Sequence, residues 1–213
     1  MVGCSDDKNN FDGNDEMNLS REEKIRMISE IGYSENASQA EAIARFLSDA
    51  DSEVVGQACF FLGYLGGRGY IADIENLLKS DDENVLNFCL SGLALMVDYR
   101  DEYLFDQILP LFNHESLLVR MSAAEALGNI RSKKALGVLM ERFGKEAPAV
   151  QYEIVRALGK IGDEAALPLL RSYQKTVNSM DHSIPRSGGI RGSNPHPDVV
   201  GLAVMEAITA IEK

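Results

Sequence analysis

The residues of this chain whose types could support chemistry are its histidines and one glycine-rich stretch. His182 follows Asp181 and His196 lies close to Asp198, so these side chains could offer nitrogen and oxygen ligands to a metal ion. Two such pairs, fourteen residues apart in one loop, are a weak metal signature. The stretch at residues 188–192, Gly-Gly-Ile-Arg-Gly, lacks the Gly-Lys-Ser/Thr and the preceding strand of a phosphate-binding loop. No Ser, His and Asp have a spacing that suggests a triad, and we therefore expect a protein that is not an enzyme and binds no cofactor or metal.

A pattern of four residue positions recurs five times along the chain and predicts the elements that must position any site. We call each set of equivalent positions a column. An apolar residue is followed four residues later by a small or apolar one, then by Leu or Ile after four more, and by an apolar residue after three more. These offsets place all four columns on one face of an α-helix. A fixed repeat of this length indicates an α-solenoid. The repeats are Val54, Ala58, Leu62, Leu65; Val85, Cys89, Leu93, Met96; Val119, Ala123, Leu127, Ile130; Val150, Ile154, Leu158, Ile161; and Val200, Val204, Ile208, Ile211.

Second amphipathic runs lie between these core-facing helices, and turn-like residues separate the two. The repeating unit is therefore a helical hairpin, and no segment has the alternation that predicts a sheet. Intervals in the Leu column are 31, 34, 31 and 50 residues, so the last one contains an insertion, which we place at 178–197. The predicted second runs are Ala40 to Leu47, Tyr70 to Leu78, Tyr103 to Phe112, Ala135 to Phe143 and Ala165 to Val177.

Two further features of the pattern predict local structure. A weaker copy around Ile28 has Ser20 and Lys24 in core columns, which is typical of a terminal repeat with one face in water. Ser20 and Glu23 also form a capping box that starts a helix. A small residue follows the Leu column in each repeat, and this predicts a close approach of neighbouring helices. These residues are Gly63, Ala94, Gly128, Gly159 and Thr209.

Val119-Arg120 followed by the run Ala126-Leu127-Gly128-Asn129-Ile130, and the stretch Ala157 to Leu170, resemble short HEAT repeats. More narrowly, they are similar to the HEAT-like repeats named after phycobilisome (bilin) lyases. The resemblance covers about residues 19–177 and 198–213. It implies an all-α fold, a right-handed superhelix of five to six hairpins in which the second helices line a concave surface. Most members of the family are interaction scaffolds.

Two enzymatic alternatives follow only from such resemblances. His114-Glu115 resembles the His-Glu pairs with which deoxyhypusine hydroxylase, a HEAT-repeat enzyme, holds iron. That family uses several such pairs and this chain has one, so we interpret it as a polar turn between hairpins. A role in bilin attachment, as a lyase or a related chaperone, is suggested by the name of the repeat alone.

Charge bears on the class of partner. The net charge is −12, with 8 Lys and Arg against 22 Asp and Glu in residues 1–106 and 13 against 11 in residues 107–213. Phosphate binding needs a concentrated basic surface, which argues against nucleic acid as the ligand. The acidic half could steer a charged partner, and an alternative function is therefore a neutralising, immunity-type protein that covers a basic toxin or enzyme.

The cysteines and the N-terminus bear on localisation. Three cysteines give no disulfide framework, and we expect Cys59 and Cys89 to be buried small hydrophobes in a reducing compartment. No apolar stretch is long enough to span a membrane. The three residues before Cys4 cannot supply the apolar h-region of an export signal, so we expect a cytoplasmic protein from the sequence as written. Alternatively, Met1 to Ser5 resembles the end of a lipoprotein signal. If the true start lies upstream, Cys4 would carry a lipid anchor on an envelope protein. Residues 1–18 are predicted to be a disordered acidic tail, and 19–213 a single domain.

The function that needs no missing residue is a protein-binding scaffold, which we expect to be monomeric. Its contacts would lie on the concave surface of the second helices, and the insertion at 178–197 is either a passive connector or a second binding segment. The residues predicted on the second helices are Asp73, Asn76, Asp106, Gln107, Arg142, Arg171 and Tyr173. Those predicted in the insertion are Ile184, Arg186, Ile190 and Arg191.

Overall fold

A computed structural model describes residues 19–179 and 197–213 of the chain. The predicted acidic tail and most of the predicted insertion lie outside these residues. Within them, the chain forms eleven α-helices and no strand, which confirms the all-α prediction. The helices alternate along the chain between the two members of each hairpin.

Six of the helices carry the column pattern, and we call them the first helices. They are α1 (Arg21–Tyr33), α3 (Ser52–Tyr64), α5 (Glu83–Met96), α7 (Leu117–Ile130), α9 (Pro148–Ile161) and α11 (Pro197–Ile211). The intervening second helices are mostly shorter, and a 3₁₀ turn precedes several of them. They are α2 (Ala40–Ala44), α4 (Ile71–Leu77), α6 (Phe105–Leu111), α8 (Lys133–Phe143) and α10 (Leu167–Ser179).

Side chains just before several of the first helices cap them, because they accept hydrogen bonds from the free backbone N–H groups of the first turn. The predicted capping box is present, since Ser20 Oγ accepts from the N–H of Glu23 and the Glu23 carboxylate accepts from the N–H of Ser20. Asp51 and Asp82 cap α3 and α5 in the same way, each accepting from two N–H groups. Aspartates in the inter-repeat loops therefore have a structural task.

The core is formed by the four predicted columns. All their members are buried except Ile161, which is half-buried, so the repeat register read from the sequence is confirmed. Rows of apolar side chains from the second helices complete this core, among them Ile74, Ile108 and Leu139, which are fully buried. One continuous cluster runs from α1 to α11.

The first helices approach each other more closely than the second helices do. A Cβ built on Gly63 of α3 would lie 2.2 Å from the backbone oxygen of Gly92 in α5, and one on Gly128 would lie 2.6 Å from Cα of Ala157. The predicted close packing at the small residues is thus confirmed here. Successive second helices make few or no backbone contacts with each other and pack instead on the first helix that follows.

This difference in spacing determines the direction of curvature. In a curved stack, the layer with the smaller spacing lies on the inside. The closer spacing of the first helices favours them for the inner side and the second helices for the outer side, whereas the family resemblance implies that the second helices line the concave surface. The reason is compositional, because Gly and Ala at the contacts between first helices allow their backbones to meet.

The sequence predicts that Lys24, in a core column of the terminal repeat, faces water, but the structure buries most of its side chain. Its ammonium group lies 2.7 Å from the carboxylate of Asp49, and the two side chains are only 14% and 12% exposed. The polar residue in this column is thus accommodated by an ion pair with the loop that precedes α3.

The cysteines in the core also differ from the prediction. Cys59 of α3 and Cys89 of α5 are fully buried, as expected, but they form a disulfide, with their Cα atoms 4.8 Å apart. The expectation that they are free thiols was wrong. An odd cysteine count does not exclude one pair, and the repeat places these two on facing sides of adjacent helices.

Candidate partner-binding surface

The solvent-facing side chains of the first helices form one surface, which we call the inner face. Equivalent positions recur along it once per repeat, so its composition can be followed from one end of the stack to the other. At the position next to the small-residue column the sequence reads Tyr64, Leu95, Asn129, Lys160 and Ala210. The inner face therefore changes from aromatic and apolar at Tyr64 and Leu95 to polar and charged at Asn129 and Lys160.

Five rings contact each other edge to face at the N-terminal end of the inner face, and we call them the aromatic cluster. It comprises Tyr33, Phe60, Phe61, Tyr64 and Phe88. The ring of Tyr33 meets those of Phe61 and Tyr64 edge to face, with centroid distances of 5.1 and 6.3 Å. Phe60 contacts Phe61 at 5.3 Å and Phe88 at 6.4 Å. The cluster thereby spans α1, α3 and α5.

Glycines on neighbouring helices make room for these rings. A Cβ on Gly32 would lie 2.0 Å from Cδ1 of Phe61, and one on Gly56 would lie 2.9 Å from Cδ2 of Phe88. The ring of Phe61 is buried as a result, whereas Tyr33 is 69% and Tyr64 45% exposed. Buried rings therefore support exposed ones, which is how a rigid apolar contact surface is built.

Carboxylates flank the exposed tyrosines. The Tyr64 hydroxyl donates a hydrogen bond of 3.4 Å to Glu35 Oε1. Glu30 lies one turn before Tyr33 on α1 and is exposed. Tyr33 and Tyr64 are also the last residues of α1 and α3, where the helix dipoles concentrate negative charge. The carboxylates and the two helix ends therefore place negative charge at this end of the inner face.

The C-terminal half of the inner face is a network of internal polar contacts. Arg156 Nη1 lies 3.0 Å from the Glu153 carboxylate and 3.9 Å from that of Glu125. Lys160 donates to the Asn129 side chain, which in turn donates to the carbonyl of Ala94. Burial raises the pKa of Glu153, which Arg156 opposes, and burial lowers the pKa of Lys160. These groups already have partners within the chain.

A shallow pocket of about 230 Å³ lies at the same end, between α9 and α11. Arg156, Lys160 and Glu206 line it together with small residues. It combines both signs of charge and shows no preference for one class of ligand.

The predicted contacts on α4 and α6 lie on the outer side. Asp73 and Asn76 line a cleft of about 460 Å³ between α2 and α4, where they are exposed. Asp106 is exposed one repeat further on, and Gln107 donates a hydrogen bond to the Glu75 carboxylate. The structure thus brings the first two together in one cleft.

The predicted contacts on α8 and α10 are engaged within the chain. Arg142 forms an ion pair with Glu146 and lies over the ring of Phe112. Tyr173 packs on the ring of Phe143 at 5.0 Å, and its burial raises its pKa. Arg171 bonds to Glu212 at the surface. The predicted contacts Ile184, Arg186, Ile190 and Arg191 lie outside the described residues.

The metal and phosphate hypotheses concern residues that are mostly outside the described part of the chain, since His182, His196 and 188–192 are not included. Among the residues that are described, no group of three or more His, Cys, Asp or Glu side chains could hold a metal ion. His114 Nδ1 accepts a hydrogen bond of 3.0 Å from the N–H of Ser116, and Arg120 donates to the His114 carbonyl. His114 and Glu115 thus form part of the turn before α7. No helix in the described ranges is long and apolar enough to cross a membrane.

The aromatic cluster was missed by the sequence analysis. Its signal was present in the adjacent Phe60 and Phe61 followed by Tyr64, which the column pattern treats as positions outside the core. The two glycines facing the rings, Gly32 and Gly56, are separated from them by about one repeat. Only the stacking of hairpins reveals why they belong together.

An α-solenoid of stacked helical hairpins with no assembled catalytic group in the described residues is the architecture of helical repeat proteins. A model of HEAT repeats matches residues 71–147 and 105–180, which together are just over half of the chain. The chain belongs to the HEAT-repeat family. The matching model describes HEAT repeats in general and does not show the narrower likeness to bilin-lyase repeats.

Comparisons with individual proteins agree with this fold. An engineered protein of known structure superposes with a TM-score of 0.61 at 21% identity, covering 88% of both chains. A designed armadillo repeat protein in complex with peptide (KR)4 gives a TM-score of 0.62 at 17% identity, covering 92% of this chain and 97% of that one. At these identities the likeness shows the fold alone.

One curated relative is an enzyme. Deoxyhypusine hydroxylase from Bos taurus is 34% identical over 64 residues, which are 29% of this chain and 21% of that protein. The match therefore spans about a fifth of the length of that enzyme and is a likeness between repeats.

Proposed function

We propose that this protein is a non-catalytic scaffold that binds a protein partner along the inner face of its first helices. The observation that carries the proposal is the run of exposed apolar side chains on that face. Tyr33 and Tyr64 are followed in the next repeat by Leu95, which is 52% exposed. Exposed apolar side chains on a rigid, continuous surface are typical of sites for protein contact.

Family and fold support the same function. A solenoid exposes a long surface of which each repeat contributes one segment, so it can follow an extended partner. The designed armadillo repeat protein with a similar fold is described as a complex with a peptide. Deoxyhypusine hydroxylase shows that HEAT repeats also occur in an enzyme, but no metal-binding group accompanies the repeat among the described residues.

The second helices provide the alternative surface. Asp73 and Asn76 in the cleft beside α2 are the outer-side residues best placed for a partner, with Asp106 exposed nearby. Contacts by Arg142 or Tyr173 would first require their internal contacts to break. The insertion residues Ile184, Arg186, Ile190 and Arg191, which lie outside the described residues, stay predicted partner contacts.

The acidic composition favours a second candidate function, a neutralising partner of a basic protein. Residues 19–106 contain 17 acidic and 7 basic side chains, so the N-terminal repeats attract cations. This candidate uses the same surface and differs in affinity, because a neutralising protein binds one partner very tightly. The likeness to bilin-lyase repeats supplies no comparable observation.

The disulfide supports the alternative localisation. Disulfides persist in oxidising compartments and are rare in the cytosol. The Cys59–Cys89 bond therefore favours an envelope or other oxidising location over a reducing cytoplasm. Such a location agrees with the lipid-anchor hypothesis for Cys4, which predicts that the protein partitions with membranes after cell fractionation and that Cys4→Ala releases it.

Site-specific photo-crosslinking tests the scaffold proposal. A photoreactive amino acid would replace Leu95 on the inner face in one variant and Asp73 on the outer side in another, and each would be activated in the native cell. We expect one dominant protein adduct from the Leu95 position, identified by mass spectrometry, and a weaker or absent one from Asp73. The reverse pattern would move the site to the second helices, and adducts from neither position would refute a scaffold function.

A further inference from the structure

We propose that the aromatic cluster and its flanking carboxylates are a docking site for a basic segment, rich in Arg and Lys, of the partner. The inference rests on the proposed function and deepens it by naming the chemistry of the partner and the repeats that bind it. The site comprises Tyr33, Tyr64, Glu30 and Glu35, with Phe61 beneath them.

The tyrosine rings provide the first part of the recognition. A guanidinium or ammonium group is attracted to the face of an aromatic ring, and Arg also stacks on it. Tyr33 is 69% exposed although its ring contacts Phe61 and Tyr64, so it is held in place and still open to a ligand. Other rings bordering the polar inner face already have cations, since Arg156 lies over Tyr152.

Carboxylates provide the second part. Within the described ranges, neither Glu30 nor Glu35 forms an ion pair with a cation of the chain. Acids at the opposite ends of α1 and α3 do have such partners, for example Asp49 with Lys24 and Glu53 with Arg21. Two carboxylates beside exposed rings can therefore accept charge-assisted hydrogen bonds from an incoming Arg or Lys.

Helix dipoles and the net charge of the N-terminal repeats act in the same direction. The C-terminal ends of α1 and α3 meet at Tyr33 and Tyr64, and each adds partial negative charge to the carboxylates. The excess of acidic over basic side chains in residues 19–106 extends this field over the surrounding surface. The rings, the carboxylates, the helix ends and the net charge thus all favour a cationic ligand.

A peptide titration with the full chain tests this inference. The probe is a fluorescein-labelled octapeptide of alternating Lys and Arg, with an octapeptide of alternating Asp and Glu as the control for sign and a neutral amphipathic peptide of Leu and Ser as the control for simple hydrophobic docking. We expect saturable binding of the basic peptide alone, weakening as the salt concentration rises.

Matched variants separate the site from general attraction. Tyr33→Ser with Tyr64→Ser should weaken binding about tenfold. Glu30→Gln with Glu35→Gln should weaken it severalfold, whereas Glu115→Gln with Glu164→Gln removes the same charge from exposed positions outside the proposed site and should change it less than twofold. Circular dichroism and the melting temperature of each variant would confirm that it is folded.

The outcomes distinguish this inference from the scaffold proposal. Equal weakening by the two charge pairs, or equal binding of the neutral peptide, would overturn the basic docking site. Absence of basic-peptide binding would also overturn it, and a crosslinked partner at Leu95 would then show that the scaffold proposal still holds. If crosslinking fails as well, both are wrong.

Discussion

Cys59 and Cys89 form a disulfide that ties α3 to α5 immediately beside Phe60 and Phe88 of the aromatic cluster. The bond joins two consecutive repeats at their buried centre. It therefore fixes the spacing between α3, which carries the exposed Tyr64, and α5, which carries the half-buried Phe88. Stability and the proposed site are coupled at this point of the fold.

Removing the disulfide is expected to lower the free energy of unfolding. The bond closes a loop with a sequence separation of 30 residues, and in the chain-entropy model closing such a loop destabilises the unfolded chain by about 3.5 kcal/mol. Urea unfolding of Cys59→Ala with Cys89→Ala should therefore show a loss of about 2–4 kcal/mol.

Thiol titration checks the same bond without mutation. In denaturant without reductant, one of the three cysteines should react, and all three should react after reduction. Three reactive thiols before reduction would show that Cys59 and Cys89 are unpaired in the isolated protein.

Replacement of Gly63 by Ala should destabilise the solenoid although alanine is the better helix former. A Cβ at this position would lie 2.2 Å from the Gly92 oxygen, so α3 and α5 must move apart. We expect a loss of about 1–3 kcal/mol in the free energy of unfolding, as for other overpacked cores.

Gly137 provides the matched control. It lies on the exposed side of α8, and nothing is within 4 Å of a Cβ placed there. Gly137→Ala should therefore raise the free energy of unfolding by about 0.5–1 kcal/mol. Equal effects of the two substitutions in denaturant titrations would contradict the close approach of α3 and α5.

The contrast between columns and surface shows how far sequence alone could reach. Val119, Ala123 and Leu127 were predicted correctly as core residues because one helix face is determined by residues three and four apart. The direction of curvature depends on distances between helices. Gly92 and Ala157 lie on the facing side of the next repeat and allow the close approach of the first helices, on which this direction depends. Their positions have no role in the column pattern. Arg142 was read as a free contact because its partner Glu146 lies beyond the helix end and is buried by the packing of two repeats.

The ion pair between Lys24 and Asp49 predicts a dependence of stability on pH. Burial alone would raise the pKa of Asp49, but hydrogen bonds from Lys24 and from the N–H of Asp51 outweigh it and lower the pKa below 3.8. A carboxyl group whose pKa is lowered by folding contributes stability above its unfolded pKa, and loses it as the pH falls through its folded pKa.

Asp49→Asn should therefore destabilise the protein at pH 7 and have a smaller effect at pH 3. The check is the urea midpoint of both proteins at the two values of pH. Asp73→Asn, at an exposed carboxylate on α4, is the control and should leave the midpoint nearly unchanged at each. A penalty for Asp49→Asn that is as large at pH 3 as at pH 7 would assign its effect to packing instead of charge.

The buried ion pairs that Glu146 forms with Arg120 and Arg142 predict that Arg142 stabilises the junction between two repeats. The Glu146 carboxylate accepts hydrogen bonds from Arg120 of α7 and Arg142 of α8, and the side chain is 4% exposed. Glu146→Gln keeps the shape but removes the charge that both guanidinium groups face. Because hydrogen bonds to buried charges are strong, we expect a loss of about 2 kcal/mol in the free energy of unfolding.

Glu141→Gln is the matched control, since its pair with Lys145 is exposed and should contribute no more than about 0.5 kcal/mol. If Glu146→Gln lowers the free energy of unfolding no more than Glu141→Gln does, Arg142 can leave its internal contacts at little cost. Its predicted role in partner binding would then be favoured over a structural role.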